Sequence, residues 1–512
     1  MTTAARGRAL RRAPFLAVDL LGALNLTATL LKYLSLAVLV PAAVALGYGE
    51  PVWPFLGAAA IVGGGSFALQ RATRADHRLG TREAFLVVSC TWLGAALLGA
   101  LPYLLSGDPQ LDRPIDAYFE AMSGFTTTGA SVVTDLDALP RSLLLWRQLT
   151  QWLGGIGIIV LALAVLPRLR VGGRQLLEHE MPGPEIESLR TRIRDTARRV
   201  WFLYLALTAA LIVILLAFDV TNVDERMTGF DAFGTALATM PTGGFGTDGR
   251  SLQPFAPATQ WVIALFMLLA GANFALLYRV FVRRQPLELG RDSEFRLYIA
   301  LITLASIVLG VEIWLEDIAA GEAAVRNAVF QTVSMMTTTG FATTDFVSWP
   351  TLAAMTLVGL MFVGGSAGST SGSVKVVRHL LMAKILRREI DQTLHPEVVA
   401  PVRLGRTIVD ERTLRAVSSF IVLYIGVFIL GTVLLAAEAE RSGVDLTLRE
   451  AIAAAATTLG NVGPAFGFAG PFGSFEPFSD LSTVLLTGLM WIGRLEVLPI
   501  VVLLTRHYWR NA

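Results

Sequence analysis

The chain has 512 residues, with 42 Lys and Arg against 40 Asp and Glu, so its formal net charge is only +2. Hydrophobic residues make up 54%, charged residues 16%, and the mean hydropathy is +0.59. Those values exclude an ordinary soluble domain and argue against a nucleic-acid binder, which needs a broad basic face.

Apolar runs of spanning length occur at about 25–48, 52–70, 84–106, 143–166, 200–220, 259–282, 297–316, 350–384, 414–437 and 482–506. The first follows Arg6, Arg8, Arg11 and Arg12 and contains Ala43-Val-Ala45, which mimics a signal-peptidase site. Its length exceeds a typical signal-peptide core, so it reads as a retained span. Lys32 inside it either snorkels or pairs, and no role is assigned to it. The connections at 71–83, 167–199, 279–296 and 375–415 and both termini are rich in Arg and Lys. The opposite connections lean acidic, as with Asp108, Asp112, Asp116, Asp135 and Asp137. The positive-inside rule then places both termini and the basic connections in the cytoplasm of a multi-pass protein of the cytoplasmic membrane. Cys90 is the single cysteine, so no intrachain disulfide is possible. The five histidines (His77, His179, His379, His395 and His507) form no ligand-spaced pair.

One spacing recurs between the last eight spans. Asp116 and Gly129, Asp231 and Gly244, Asn327 and Gly340, and Glu450 and Gly463 each lie thirteen positions apart. Each pair opens on a capping or acidic side chain and closes on a glycine turn. A helix of roughly ten residues is about 15 Å long, half of a bilayer core, so it dips into a membrane without crossing it. The four units of span, dipping helix, turn and span form an internal repeat. Glycine at the fourth place of each turn permits a positive φ and lets carbonyls face a shared axis. Thr127, Thr242, Thr338 and Asn461 hold one equivalent place, where side-chain oxygens can add ligands. A cation shedding water onto such rings passes without a fixed charge trapping it. The C-terminal ends of the dipping helices point their negative dipoles at the membrane centre. The plainer explanation, ordinary caps and loop glycines, does not account for four copies at one spacing.

Carried by the four turns, Gln151-Trp-Leu-Gly-Gly-Ile-Gly157, Gly365-Ser-Ala-Gly-Ser-Thr-Ser-Gly372, Gly493-Arg-Leu-Glu496 and Tyr508-Trp-Arg510, the chain resembles the TrkH/KtrB/HKT superfamily of potassium transporters. The two extra N-terminal spans and the Trp-Arg ending favour the TrkH branch. The resemblance runs from roughly residue 20 to the C-terminus. It implies an all-α polytopic membrane protein with four pseudo-repeated helix–pore helix–helix units around a single pore. The divisions are 1–80 for the two-span segment, and 81–170, 195–285, 293–390 and 411–512 for the pore units. The resemblance makes a K+ selectivity filter of Thr127, Thr128, Gly129, Ala130, Thr242, Gly243, Gly244, Phe245, Thr338, Thr339, Gly340, Phe341, Asn461, Val462, Gly463 and Pro464. In some plant members a serine at the first filter glycine goes with sodium transport, so Gly129 implies potassium. Asn461-Val-Gly463 departs from the Thr-rich pattern, so the fourth quarter of the filter is expected to be less symmetric.

Two features lie beyond the filter. Val363-Gly-Gly-Ser-Ala-Gly-Ser-Thr-Ser-Gly-Ser-Val374 breaks the second span of unit three, since Gly costs roughly 1 kcal/mol against Ala in a helix. Close packing through small residues is the alternative, though it usually needs only one or two glycines at four-residue spacing; a phosphate loop is excluded because Lys375 lacks the Gly-Lys-Ser/Thr context. Arg494 lies inside the last apolar run, where a charge costs at least about 2.5–3.5 kcal/mol. It is either half of an ion pair with a carboxylate from another unit or an electrostatic barrier in the pore; Glu496, two residues away, is a poor partner. By resemblance, Gly364, Gly365, Ser366, Gly368, Ser369, Thr370, Gly372, Lys375 and Arg494 form the gate. It also implies a homodimer bound to a TrkA-like cytoplasmic ring that senses nucleotides, with 167–199 and 375–415 as docking surfaces. Solvated loops held by anionic lipid explain those stretches equally well. K+ is the transported ion, no organic cofactor and no catalytic group are expected, and the rival reading is a secondary transporter coupled to H+ or Na+.

Overall fold

A computed structural model describes residues 18–73, 80–164, 186–398, 400–405 and 407–510. The N-terminal arginines, His77, His179 and most of the basic connection at 167–199 lie outside the described residues. Among the described residues, every element is helical apart from a two-residue antiparallel pairing of Arg403–Leu404 with Thr407–Ile408. Five helices among the described residues are long and apolar enough to cross a membrane: Leu20–Tyr48, Arg82–Ser106, Thr196–Val220, Ser293–Leu315 and Glu411–Ser442. The first pair of spans packs as a hairpin against the helix Thr81–Ser106. Within it Lys32 pairs, its Nζ donating to Gln70 Oε1 at 2.9 Å.

Four short helices follow the recurring spacing: Pro114–Phe125, Gly229–Thr239, Gly321–Met336 and Leu448–Gly460. Each starts for a local reason. Pro114 supplies a fixed φ in the first turn. Thr228 with Asp231, and Thr447 with Glu450, close reciprocal capping boxes. The third departs from expectation. It begins at Gly321, six positions before Asn327, so Asn327 is no cap; its Oδ1 instead accepts from Thr343 Oγ1 at 3.0 Å.

Packing arranges the units in a closed ring. Each short helix lies against the long helices of its own unit and against the second helix of the unit before it. Gly229–Thr239 packs on Arg141–Ala164, Gly321–Met336 on Pro257–Ala270, and Leu448–Gly460 on Thr351–Val363. The cycle closes where Pro114–Phe125, in unit one, packs on Asp480–Arg494, in unit four. Most residues of the four short helices are buried, and most of those are small or apolar.

The second spans of units two to four are all broken. Sequence periodicity gave single runs over 259–282 and 482–506, and the structure corrects both. Pro257–Ala270 meets Phe274–Phe281 at 110°, and Asp480–Arg494 meets Leu498–Leu504 at 113°. In unit three the expected break is present: Thr351–Val363 ends at Gly364, and Val376–Leu394 begins after an irregular loop.

Candidate ion pathway

The four glycine turns adopt one backbone pattern. Thr127, Thr242, Thr338 and Asn461 have φ of 54°, 57°, 58° and 54°, and Gly129, Gly244, Gly340 and Gly463 have 84°, 80°, 82° and 116°. A left-handed threonine is strained. Three of them at equivalent places, with Asn461 at the fourth, mark a geometry the surroundings impose. The glycines are needed for space as well. A Cβ on Gly129 would lie 2.2 Å from Gly243 O, one on Gly244 2.0 Å from Thr339 O, one on Gly340 2.1 Å from Val462 O, and one on Gly463 2.7 Å from Thr128 O. Each turn therefore abuts the next, and the fourth abuts the first.

Within this ring, no hydrogen bond among the described residues reaches the carbonyls of Thr127, Thr242, Thr338 and Asn461, or those of Gly129, Gly244, Gly340 and Gly463. The threonines and Asn461 are buried to within 1%. Buried carbonyls ordinarily find a partner in the protein or in water. Behind the ring, side chains hold the turns. Gln151 Nε2 donates to Gly243 O at 2.6 Å while its Oε1 accepts from Phe245 N at 3.1 Å. Asn461 Nδ2 donates to Thr128 Oγ1 at 3.0 Å and to Met490 O at 2.9 Å, so the departure from threonine becomes a cross-link between units. The side-chain oxygens at this level are not equivalent. Thr127 Oγ1 has no partner, Thr242 Oγ1 donates to Pro241 O at 2.6 Å, and Thr338 Oγ1 accepts from Gly372 N at 2.7 Å.

A buried ion pair escaped the sequence reading. Glu120, on the first short helix, lies 2.7 Å from Arg147 Nε, and neither is more than 1% exposed. Glu120 also accepts from Ser131 Oγ and Val132 N, both at 3.0 Å. The guanidinium sits 4.1 Å from the ring centroid of Phe245, the residue after Gly244. The pair thus joins the chain leaving the first turn to the second turn.

The Gly-rich loop lies directly against the ring. Gly372 N bonds Thr338, a Cβ on Gly372 would lie 2.3 Å from Gly460 O, and Thr370 Oγ1 donates to Met240 O and Ala270 O, both at 3.2 Å. Ser366 N donates to Gly271 O at 2.8 Å and Phe274 N to Gly368 O at 3.2 Å, which uses the backbone freed by the 110° bend. Lys375 Nζ donates to Ser371 O at 2.5 Å. Ser369 folds back on Ser366 O at 2.7 Å.

Arg494 is 2% exposed at the end of its helix. Its Nη1 donates to Thr370 O at 3.0 Å, while Nε and Nη2 have no partner. The ion-pair alternative for Arg494 is not met, because no carboxylate pairs with it among the described residues. Glu496, which the sequence set aside as its partner, pairs with Arg378. A second acid, Glu294, is buried at the start of the helix Ser293–Leu315. Finally, Tyr508 Oη donates to Arg82 O at 2.6 Å, tying the end of unit four to the start of unit one.

Comparison with known proteins agrees with this architecture. Residues 57–510 match the TrkH family, described as "Cation transport protein". The Trk system potassium uptake protein TrkH of Escherichia coli K12 is 38% identical over 436 residues, covering 85% of this chain and 87% of that protein. TrkH of Halomonas elongata is 36% identical over 492 residues, covering 95% and 99%. The crystal structure of the potassium transporter TrkH from Vibrio parahaemolyticus superposes with a TM-score of 0.86 at 33% identity, covering 96% of this chain and 100% of that one. An all-helical ring of four units with apolar spans, matched over nearly its whole length, places this chain in the TrkH family of membrane cation transport proteins.

Proposed function

We propose that this protein takes up K+ through the centre of the ring, and that backbone carbonyls of the four turns form its selectivity filter. The observation that carries the proposal is that four turns, each abutting the next in a closed ring, hold carbonyls at equivalent places that no hydrogen bond among the described residues claims. A dehydrated monovalent cation supplies the partner those oxygens lack, and no carboxylate is needed to hold it. The names of the E. coli and H. elongata relatives favour potassium. Gly129, where a Cβ has no room, is consistent with it.

The Gly-rich loop closes the path on one side of the ring. Its contacts with Thr338 and Met240 plug the space under the turns, and Arg494, with two unpartnered donors, sets a positive barrier there. Opening moves the loop and Arg494 together, since Thr370 O accepts from Arg494. By resemblance the protein works as a homodimer in the cytoplasmic membrane, with both termini cytoplasmic and a nucleotide-sensing ring docked on the basic connections.

Flux of Rb+, K+ and Na+ into liposomes holding the purified protein tests this function. Downhill Rb+ and K+ entry that far exceeds Na+ entry, and rises when Arg494 is replaced by Ala, supports a gated pore. Entry that requires an imposed H+ or Na+ gradient makes the protein a coupled transporter. Absence of cation flux in both proteins refutes the function.

A further inference from the structure

The loop is anchored from outside the pore as well. Glu294 is the second residue of the helix Ser293–Leu315 and is 5% exposed. Its Oε1 accepts from Ala367 N at 2.6 Å and from Val377 N at 3.2 Å. Ala367 lies in the middle of the Gly-rich loop; Val377 lies in the first turn of the helix that follows it. One carboxylate oxygen therefore gathers two backbone donors ten positions apart in sequence. Between them the chain passes the ring at Gly372 and meets Arg494 at Thr370.

We infer that Glu294 is a positioning residue that latches the Gly-rich loop in its closed arrangement; the inference rests on that loop being the gate. The argument is chemical. A helix N-terminus leaves N–H groups without intrahelical acceptors, and Val377 N is one of them. The irregular loop leaves Ala367 N without a backbone acceptor as well. Glu294 Oε1 supplies the acceptor that both donors lack. If the loop leaves, both donors leave with it, and a nearly buried carboxylate loses two bonds. Glu294 sits in the first turn of a long helix whose start Asp292 Oδ1 caps by accepting from Phe295 N at 2.8 Å, and Tyr298 Oη ties that helix to Leu268 O at 3.1 Å. The latch thus sets one carboxylate oxygen on a spanning helix against the backbone of the loop. Among the described residues no hydrogen bond of the Glu294 side chain reaches the ring, so it acts on the gate and leaves the choice of ion alone.

The test is basal Rb+ flux into liposomes, without any partner subunit, for the full chain and for Glu294→Ala, Glu294→Gln and Arg494→Ala. Glu294→Ala is expected to raise basal flux by about tenfold or more, the scale set by losing two hydrogen bonds to a nearly buried acceptor. Glu294→Gln keeps a neutral acceptor and raises flux less. The Rb+ to Na+ ratio stays at the parent value in both, which a general loosening of the fold would not preserve. If Arg494→Ala raises flux and both Glu294 variants match the parent, the latch is refuted while the gate stands. If none of the three raises flux, the gate reading falls, and the latch with it. Should Glu294→Ala fail to assemble, Glu294→Gln decides: raised flux at an unchanged ion ratio supports the latch, and parental flux overturns it.

Discussion

Replacing Arg147 by Met tests how the ring is held. Arg147 and Glu120 form a 2.7 Å pair from which water is excluded, both being at most 1% exposed. Removing the cation strands a buried carboxylate, which costs about 3–5 kcal/mol. The lost guanidinium–Phe245 contact, worth up to about 2 kcal/mol when desolvated, pushes the cost toward the upper end. Removing both charges with Glu120→Met and Arg147→Met leaves chiefly the Val132 N–H without its acceptor, about 1–3 kcal/mol. The double variant should therefore be more stable than Arg147→Met alone, with a coupling of at least about 2 kcal/mol. The assay is a double-mutant cycle on unfolding in mixed micelles of mild detergent and dodecyl sulfate. Because Phe245 follows Gly244, the single variant should also admit more Na+. A cost below about 1 kcal/mol for Arg147→Met, or two effects that simply add, would refute the reasoning.

Gly129→Ser places a Cβ 2.2 Å from Gly243 O at a φ of 84°, so the first turn must deform; competition of Na+ with Rb+ uptake should then rise sharply. Gln151→Leu removes both braces on the second turn, about 1 kcal/mol each, and is expected to lower the K+ to Na+ flux ratio while the protein still assembles. Tyr508→Phe deletes the 2.6 Å bond to Arg82 O; thermal stability in detergent should fall by about 1 kcal/mol with ion selectivity unchanged.

Much of this architecture is legible in the chain because it is repeated. Thirteen positions from Asp116 to Gly129, copied three times, place the end of each short helix and the turn after it, and both are local properties, while the start of each helix varies with its own cap. The loop at 363–374 is legible because glycine density alone forbids a helix there. The bends at Gly271–Asn273 and Leu495–Val497 are not, since each interrupts an apolar run with only a residue or two. Their signals were present but small: Asn273, whose Oδ1 caps Ala275 N at 2.8 Å, and Pro499 in the first turn of the last apolar helix. Asn327 was misread because spacing to the glycine is kept while the helix extends upstream. Glu120 and Arg147 are 27 positions apart on different helices, and no periodicity links them. Glu294 looks in sequence like one more acid beside Asp292 at a helix start, and only the folded loop reveals what it faces.

If K+ crosses the ring on the carbonyls of the four turns, a monovalent cation must rest among them on its axis. Anomalous diffraction from crystals grown in RbCl measures this most directly. Rb+ density is expected on the axis at the level of Thr127 to Gly129 and their three counterparts, lost when Na+ replaces Rb+. Rb+ density at an acidic cluster away from the ring, with none on the axis, would contradict it.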